Sequence, residues 1–168
     1  SPAVTLTRVD AADADAMAAL AAGSHVLINA VNPPYMRWPE LWPPMAAAFL
    51  TAAERSGAGL MIVGNLYAYG PVAGPMTEAM PLATTGAKGG VRAQMWRDAL
   101  GAHEAGRVRA VELRASDYFG PGATAGMSYL NQYAIAPAVR GRTARHVHSD
   151  VDAPHSWTTQ MAPSFALA

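Results

Sequence analysis

Two stretches decide how this chain folds: Leu60-Met61-Ile62-Val63-Gly64-Asn65-Leu66-Tyr67-Ala68-Tyr69-Gly70-Pro71 and Val111-Glu112-Leu113-Arg114-Ala115-Ser116-Asp117-Tyr118-Phe119-Gly120-Pro121-Gly122. Each starts as a strand-like run and turns a corner at an aromatic-Gly-Pro triplet. Residues 91–105, between them, have the length of a helix, and Gly106 closes it, since glycine tolerates the left-handed backbone that ends helices. Strand, helix and strand in succession imply a parallel sheet with right-handed crossovers.

The pattern extends toward the N-terminus. Residues 4–9 alternate apolar and polar side chains, which predicts a short strand. Residues 10–22 are alanine-rich, with Asp10 or Asp13 as N-cap and Gly23 as stop, which predicts a helix. Val26-Leu27-Ile28 is a continuous apolar run, as in a strand covered on both faces. It opens into Asn29-Ala30-Val31-Asn32-Pro33-Pro34, where two prolines forbid a central strand. A helix is expected over 43–56, with Pro43 and Pro44 in its first turn and Gly57 after it. Strands follow at 60–64 and 109–113. The segment 69–87 is rich in Pro, Gly and Thr and longer than ordinary connections, which marks it as a functional or disordered loop. Beyond Gly122 a helix is expected over 127–139 and a strand over 144–148.

Composition narrows the function classes. The 168 residues suffice for one domain with its own core. Lys+Arg equals Asp+Glu at 12 each, so no broad charged surface invites nucleic acid or an anionic membrane. Cysteine is absent, which excludes disulfides and thiolate chemistry. No apolar run approaches the roughly 18–20 residues of a membrane span. The start, Ser1-Pro2-Ala3-Val4, lacks the basic and apolar regions of a signal peptide and lacks an initiator Met. The expectation is a soluble cytoplasmic protein with a processed or cut N-terminus.

In open parallel sheets, ligands bind beyond the carboxyl ends of the strands. Those ends are Asp10, residues 29–32, residues 65–69 and residues 115–122. One constellation is Asn65, Tyr67 and Tyr69 with Lys88 on the next helix, where a lysine can orient a ribose or acidify a phenol. The alternative is a polar strand end with tyrosines packed under a loop. A second is His146, His148, Asp150, Asp152 and His155. Without a pattern such as HExxH it reads as a solvated turn, and no metal is expected. A third is Tyr35, Met36, Trp38 and Trp42, which either walls a ligand pocket or staples the proline-rich segment to its helix. No GxGxxG and no GxxxxGKS/T occurs, and Gly64-Asn65-Leu66 holds no serine where a hydrolase nucleophile would stand.

The order of the signatures is specific. Asn65-Leu66-Tyr67-Ala68-Tyr69-Gly70-Pro71 is followed by Pro75-Met76-Thr77-Glu78-Ala79-Met80-Pro81, then Lys88, then Arg114-Ala115-Ser116-Asp117-Tyr118-Phe119-Gly120-Pro121-Gly122. With these pieces, residues 10–157 resemble the extended short-chain dehydrogenase/reductase superfamily, in particular its NAD-dependent epimerase/dehydratase branch. The resemblance implies an α/β fold, a Rossmann-like parallel sheet with flanking helices, here lacking the first strand and the Gly-rich turn. The chain is therefore expected to be a single partial dinucleotide-binding domain, incomplete at both ends, with an irregular tail over 159–168.

The same resemblance implies NAD or NADP as cofactor and a small-molecule substrate: a carbonyl, an alcohol or a sugar nucleotide. It places Asp10 near the adenine, Asn29, Ala30 and Val31 along the cofactor cleft, Lys88 at the nicotinamide ribose, and Ala115 and Ser116 beside the nicotinamide. Residues 35–38 and 71–87 would face substrate, and His155-Ser156-Trp157-Thr158 resembles a late strand of the family near the substrate region. Two departures bear on catalysis. Asn65 stands where the family has Ser or Thr, and Thr84 stands four residues before Lys88, where the family has Tyr. An aliphatic hydroxyl is a far weaker acid than a phenol, so Tyr67 or Tyr69 is the candidate substitute. The readings left open are an enzyme, a dinucleotide-sensing or protein-interaction module with a degenerate site, and a truncated chain that pairs through its open edge into a homo-oligomer. Neither nucleic acid nor membrane is an expected partner.

Overall fold

The computed structural model describes residues 4–120, 128–145 and 155–159. The chain divides into two compact units, Ser1–Arg114 and Ala115–Ala168. The first holds helix α1 (Ala14–Ala21), strand β1 (Val26–Asn29), helix α2 (Trp38–Ser56), strand β2 (Gly59–Asn65), helix α3 (Ala87–Glu104) and strand β3 (Ala110–Ala115), whose last residue opens the second unit. The sheet order is β1-β2-β3. β1 pairs with β2 in parallel, with Val26 opposite Gly59 and Asn29 opposite Ile62. This is the expected α/β architecture, a parallel sheet with flanking helices.

The helix boundaries follow from local chemistry. Asp13 caps α1, its carboxylate accepting from the backbone N–H groups of Asp15 (3.1 Å) and Ala16 (3.0 Å). Gly57 ends α2 at φ +73°, in the left-handed region, and its N–H returns to the Ala53 carbonyl. α2 begins five residues earlier than expected. A 3-10 turn at Tyr35–Arg37 leads into Trp38, and Pro43 and Pro44 sit inside the helix. Two prolines there forfeit backbone hydrogen bonds. The helix holds because Trp38 and Trp42, one turn apart, are both buried, and the Trp38 indole N–H is tied to the Pro33 carbonyl at 3.0 Å.

The core lies between the sheet and the three helices. Leu60 and Ile62 of β2 meet Met17 of α1, Phe49, Ala52 and Ala53 of α2, and Met95, Ala99 and Ala102 of α3. The alanines allow close approach of helix to sheet. The opposite sheet face is open among the described residues: Val26, Ile28 and Val111 are 46%, 51% and 51% exposed. The expectation of two-sided burial for β1 is therefore corrected, because α1, α2 and α3 share one core on one face. The strand expected over 4–9 is also absent. Val4 and Leu6 are exposed and the segment joins no ladder among the described residues, so its backbone lacks the neighbour a strand requires.

In the second unit β4 (Asp117–Phe119) pairs in parallel with β5 (Trp157–Thr159), Asp117 opposite Trp157. A π-helical stretch, Leu130–Ile135, runs into α4 (Ala136–Val139), with the Tyr129 and Tyr133 rings stacked at 5.9 Å. This covers the helix expected over 127–139 from Tyr129 onward; Ser128 precedes the helix and Met127 lies outside the described residues. Of the strand expected over 144–148, residues 144 and 145 are non-strand and the rest lie outside the described residues, as do Pro121, Gly122 and the tail beyond 159.

Candidate functional site

The carboxyl end of β2 gathers the first constellation. Asn65 ends the strand, and its amide oxygen accepts from the Tyr67 N–H at 3.1 Å, capping the 3-10 turn Leu66–Tyr69. The turn leaves through Gly70 at φ +72°, where a side chain would meet the Thr84 backbone at 3.0 Å. The Thr84 N–H in turn donates to the Ala68 carbonyl at 3.2 Å. Its hydroxyl accepts from the Gly86 N–H at 3.3 Å, just before α3 starts. Lys88 then stands in the first turn of α3, its ammonium 3.8 Å from the Tyr35 ring centroid and 3.9 Å from the Met36 sulfur. Tyr35, Trp38 and Tyr67 form one aromatic group, with centroids 5.0–6.4 Å apart.

Beneath this group lies buried charge that the sequence reading did not anticipate. Arg92, one helical turn after Lys88, is 5% exposed and packs on two indoles, 4.5 Å from Trp38 and 4.3 Å from Trp42. Its Nε and Nη1, and the Trp42 Nε1, have no hydrogen-bond partner among the described residues. Burial pushes the Arg92 guanidinium down to about 10, while Glu112 and Tyr67 favour its charged form. It therefore stays cationic at neutral pH. On β3, Glu112 and Arg114 share the helix-facing side and pair at 2.5 Å. Gly64 on β2 makes room for the Glu112 carboxyl, which a side chain at that position would overlap. Burial raises Glu112 above the usual carboxylate value, against the opposing pull of Arg114 and Arg92.

Tyr69 belongs to this polar layer. Its hydroxyl accepts from Arg114 Nη1 at 2.5 Å and donates to the Thr77 carbonyl at 3.1 Å. It thus ties β3 to the 71–87 segment, and its proton is committed to a carbonyl. Of the two roles left open for the 35–42 group, the structure shows the staple. Trp38 and Trp42 staple the core, while Tyr35 and Met36, 39% and 80% exposed, receive the Lys88 side chain.

The remaining candidates are dispersed. Asp10 is exposed and its carboxylate accepts from the Ala12 N–H at 2.9 Å. Asn29 ends β1, 2% exposed, and its amide oxygen accepts from Val31 N–H at 3.3 Å; Ala30 between them is exposed. Asn29 also lines an apolar cleft of about 520 Å³ between α2 and α3, with Pro43, Leu50, Val91 and Met95. Within the second unit Ala115 is buried, and Ser116 bonds Thr158 through its N–H (3.0 Å) and hydroxyl (2.9 Å). His155 contacts the Asp117 carboxylate at 2.9 Å. His146, His148, Asp150 and Asp152 lie outside the described residues. Among those described, no three His, Asp or Glu side chains are grouped as a metal would require, and no helix is long and apolar enough to cross a membrane.

Spacing could have exposed the missed residues. Trp38/Trp42 on α2 and Lys88/Arg92 on α3 are both four apart, hence each pair shares one helix face. Glu112 and Arg114, two apart on a strand, also share a face.

Gly89 fixes how closely α3 approaches the turn. A Cβ there would lie 2.5 Å from the Tyr67 carbonyl oxygen and closer still to the Thr84 hydroxyl, whereas a Cβ at Gly90 meets nothing within 4 Å. Gly90→Ala is therefore expected to stabilise the protein by up to about 1 kcal/mol through helix propensity. Gly89→Ala is expected to destabilise it by about 1–3 kcal/mol. Urea unfolding of the two variants measures the contrast, and equal gains would show that the Tyr67–Thr84 contact yields freely.

Three solved structures illustrate the likeness of the fold. The dTDP-glucose 4,6-dehydratase DesIV from Streptomyces venezuelae, with NAD and TYD bound, aligns with a TM-score of 0.76 and 17% identity over 95% of this chain and 52% of its own. The UDP-N-acetylglucosamine 4-epimerase from Methanobrevibacter ruminantium, in complex with UDP-N-acetylmuramic acid, aligns at 0.76 and 15% identity, over 92% and 53%. A dTDP-glucose 4,6-dehydratase from Bacillus anthracis, in complex with NAD, gives 0.76 and 16%, over 91% and 50%. The fold is that of these dehydratases and epimerases. It agrees with the resemblance read from the signatures around Tyr69-Gly70-Pro71 and Arg114. This chain spans about half the length of the structures it matches. No family model and no curated protein matches the sequence.

Proposed function

We propose that this chain carries the nicotinamide-ribose side of a dinucleotide site and that the protein acts on a sugar-nucleotide alcohol or carbonyl, as an epimerase, dehydratase or related oxidoreductase. The observation that carries this reading is the Lys88 cluster at the carboxyl end of β2. Its ammonium rests on Tyr35 beside Tyr67, in a fold whose solved examples are described with NAD, and no carboxylate among the described residues pairs with it. A half-exposed cation without an acidic partner fits a ribose hydroxyl or a phosphate-bearing ligand. The sequence supplies no Gly-rich turn for a pyrophosphate, so the fit concerns the ribose end.

A bound nicotinamide would accept and return hydride. Lys88 would donate hydrogen bonds to ribose hydroxyls. The proton that leaves or joins the substrate oxygen needs an acid on the protein. Thr84 is an aliphatic alcohol already accepting from Gly86, and Tyr69 is held between Arg114 and Thr77. Tyr67, between Asn65 and the Tyr35 ring, is the phenol we assign to that role. The cofactor assignment is NAD, with NADP the comparison.

The first test is titration with NADH and NADPH while following tryptophan emission, since the Trp38 ring lies 5.9 Å from that of Tyr67. Saturable quenching by NADH is expected, and no quenching by either dinucleotide would sink the proposal. A second reading, a sensor without turnover, is favoured by the Asn65 amide and Thr84 hydroxyl both being engaged by backbone N–H groups. Quenching with no conversion across a panel of UDP- and dTDP-sugars would select it.

A further inference from the structure

We propose that the cleft between α2 and α3 is a second ligand site, one that takes an uncharged, largely apolar molecule carrying an acceptor oxygen. The cleft has a volume of about 520 Å³, within the range of pockets that hold small organic ligands. Leu60 and Ile62, both buried on β2, line it together with Leu50 of α2 and Val91 of α3. At Ala46 and Gly90 the bordering helices offer little or no side chain to fill the gap. Apolar atoms along such a gap lack contacts on one side, and a close-fitting apolar ligand restores them. The whole cleft lies within the first unit. Neither Tyr35, Tyr67, Tyr69 nor Lys88 lines it, so it is separate from the cluster at the carboxyl end of β2.

Asn29 is the polar group that selects the ligand. Leu27 packs against the core and Asn29 shares its strand face, whereas Val26 and Ile28 lie on the open one. Asn29 is 2% exposed and lines the cleft. Its amide oxygen is engaged by the Val31 N–H at 3.3 Å, which fixes the direction of the amide and leaves the two Nδ2 donors. Those donors make no hydrogen bond among the described residues. The unpartnered side-chain nitrogens sealed from solvent are those of Arg92 and Trp42, so Nδ2 of Asn29 keeps an accessible edge. A donor of this kind in an apolar cleft calls for an acceptor on the ligand. Gln94 and Asp98, the other polar residues of the cleft, are exposed and bonded to each other at 2.7 Å. Asp98 is the one charged side chain lining it among the described residues, and its sign disfavours an anion. A neutral ligand with a ketone or similar oxygen meets both conditions.

The test uses prodan, a neutral naphthalene dye with a dimethylamino group and a propionyl ketone, whose emission moves to the blue in apolar surroundings. One molecule is expected to bind per chain, with blue-shifted emission. Gly90→Leu puts a side chain where a Cβ meets nothing within 4 Å, and it is expected to abolish that binding while far-ultraviolet circular dichroism stays unchanged. No binding to the protein, or equal binding to Gly90→Leu, overturns the proposal. Asn29→Asp keeps an oxygen for the Val31 N–H and removes the donor, so affinity for prodan is expected to fall about ten-fold, and unchanged affinity overturns the role of Asn29. Should Asn29→Asp fail to fold, the unaltered protein is compared on prodan and its analogue with a propyl chain in place of the propionyl group. The ketone is expected to bind at least as tightly, although water solvates it better, and tighter binding of the analogue overturns the inference. A second copy of the chain is the rival occupant. A dimer in sedimentation that takes up no dye, and that Gly90→Leu converts to monomer, would overturn the ligand reading.

Discussion

Trp42→Ala is expected to destabilise the protein by about 3–5 kcal/mol. Trp42 is 0% exposed, meets Trp38 edge to face at 6.3 Å, and lies under the Arg92 guanidinium. Removing its ring leaves a cavity in the center of the α2–α3 packing and takes one of the two surfaces that hold a buried cation. The first loss scales with cavity volume, and the second forfeits a cation–π contact in a desolvated setting. Trp42→Phe separates the two. It keeps an aromatic face and deletes an indole N–H that has no partner among the described residues, so its cost should be less than half that of alanine. Urea unfolding followed by far-ultraviolet circular dichroism measures both. A loss below about 1 kcal/mol for Trp42→Ala would mean that the neighbours collapse into the space.

Tyr67→Phe is expected to lower turnover by about 10²-fold or more while leaving dinucleotide quenching of tryptophan emission unchanged. The substitution removes one hydroxyl and keeps the ring against Tyr35 and Trp38, so the aromatic packing persists. Tyr69→Phe is the control with a different signature. It breaks the bonds to Arg114 and Thr77, hence it should loosen the 71–87 segment and lower stability. Equal turnover in the protein and in Tyr67→Phe would remove Tyr67 as the acid.

The residues that showed in the sequence are those whose reading depends on near neighbours in the chain. The 60–64 run, Gly57, Gly106 and the Asp13 cap made strands and helix ends visible, because periodicity, φ preference and capping act within a few residues. Lys88 could be picked out for the same reason, as a lysine following a strand end and a loop. Residues 4–9 show the limit. Their alternation satisfies the pattern of a strand, but a strand exists only with a partner, and no local signal reports one. Pro43 and Pro44 show another, since burial of Trp38 and Trp42 outweighed the usual start of a helix at its prolines.

By itself the sequence determined the alternation of strands and helices, the parallel α/β class and the placing of polar chemistry at the carboxyl ends of the strands. Only the tertiary structure decided which of those polar groups meet. It joined Lys88 to Tyr35, engaged Tyr69 with Arg114 and Thr77, and set the buried charge of Arg92 between two tryptophans. The physical reason is range. Backbone preferences are local, whereas burial of a charge and the field it exerts depend on atoms brought together from α2, α3, β2 and β3.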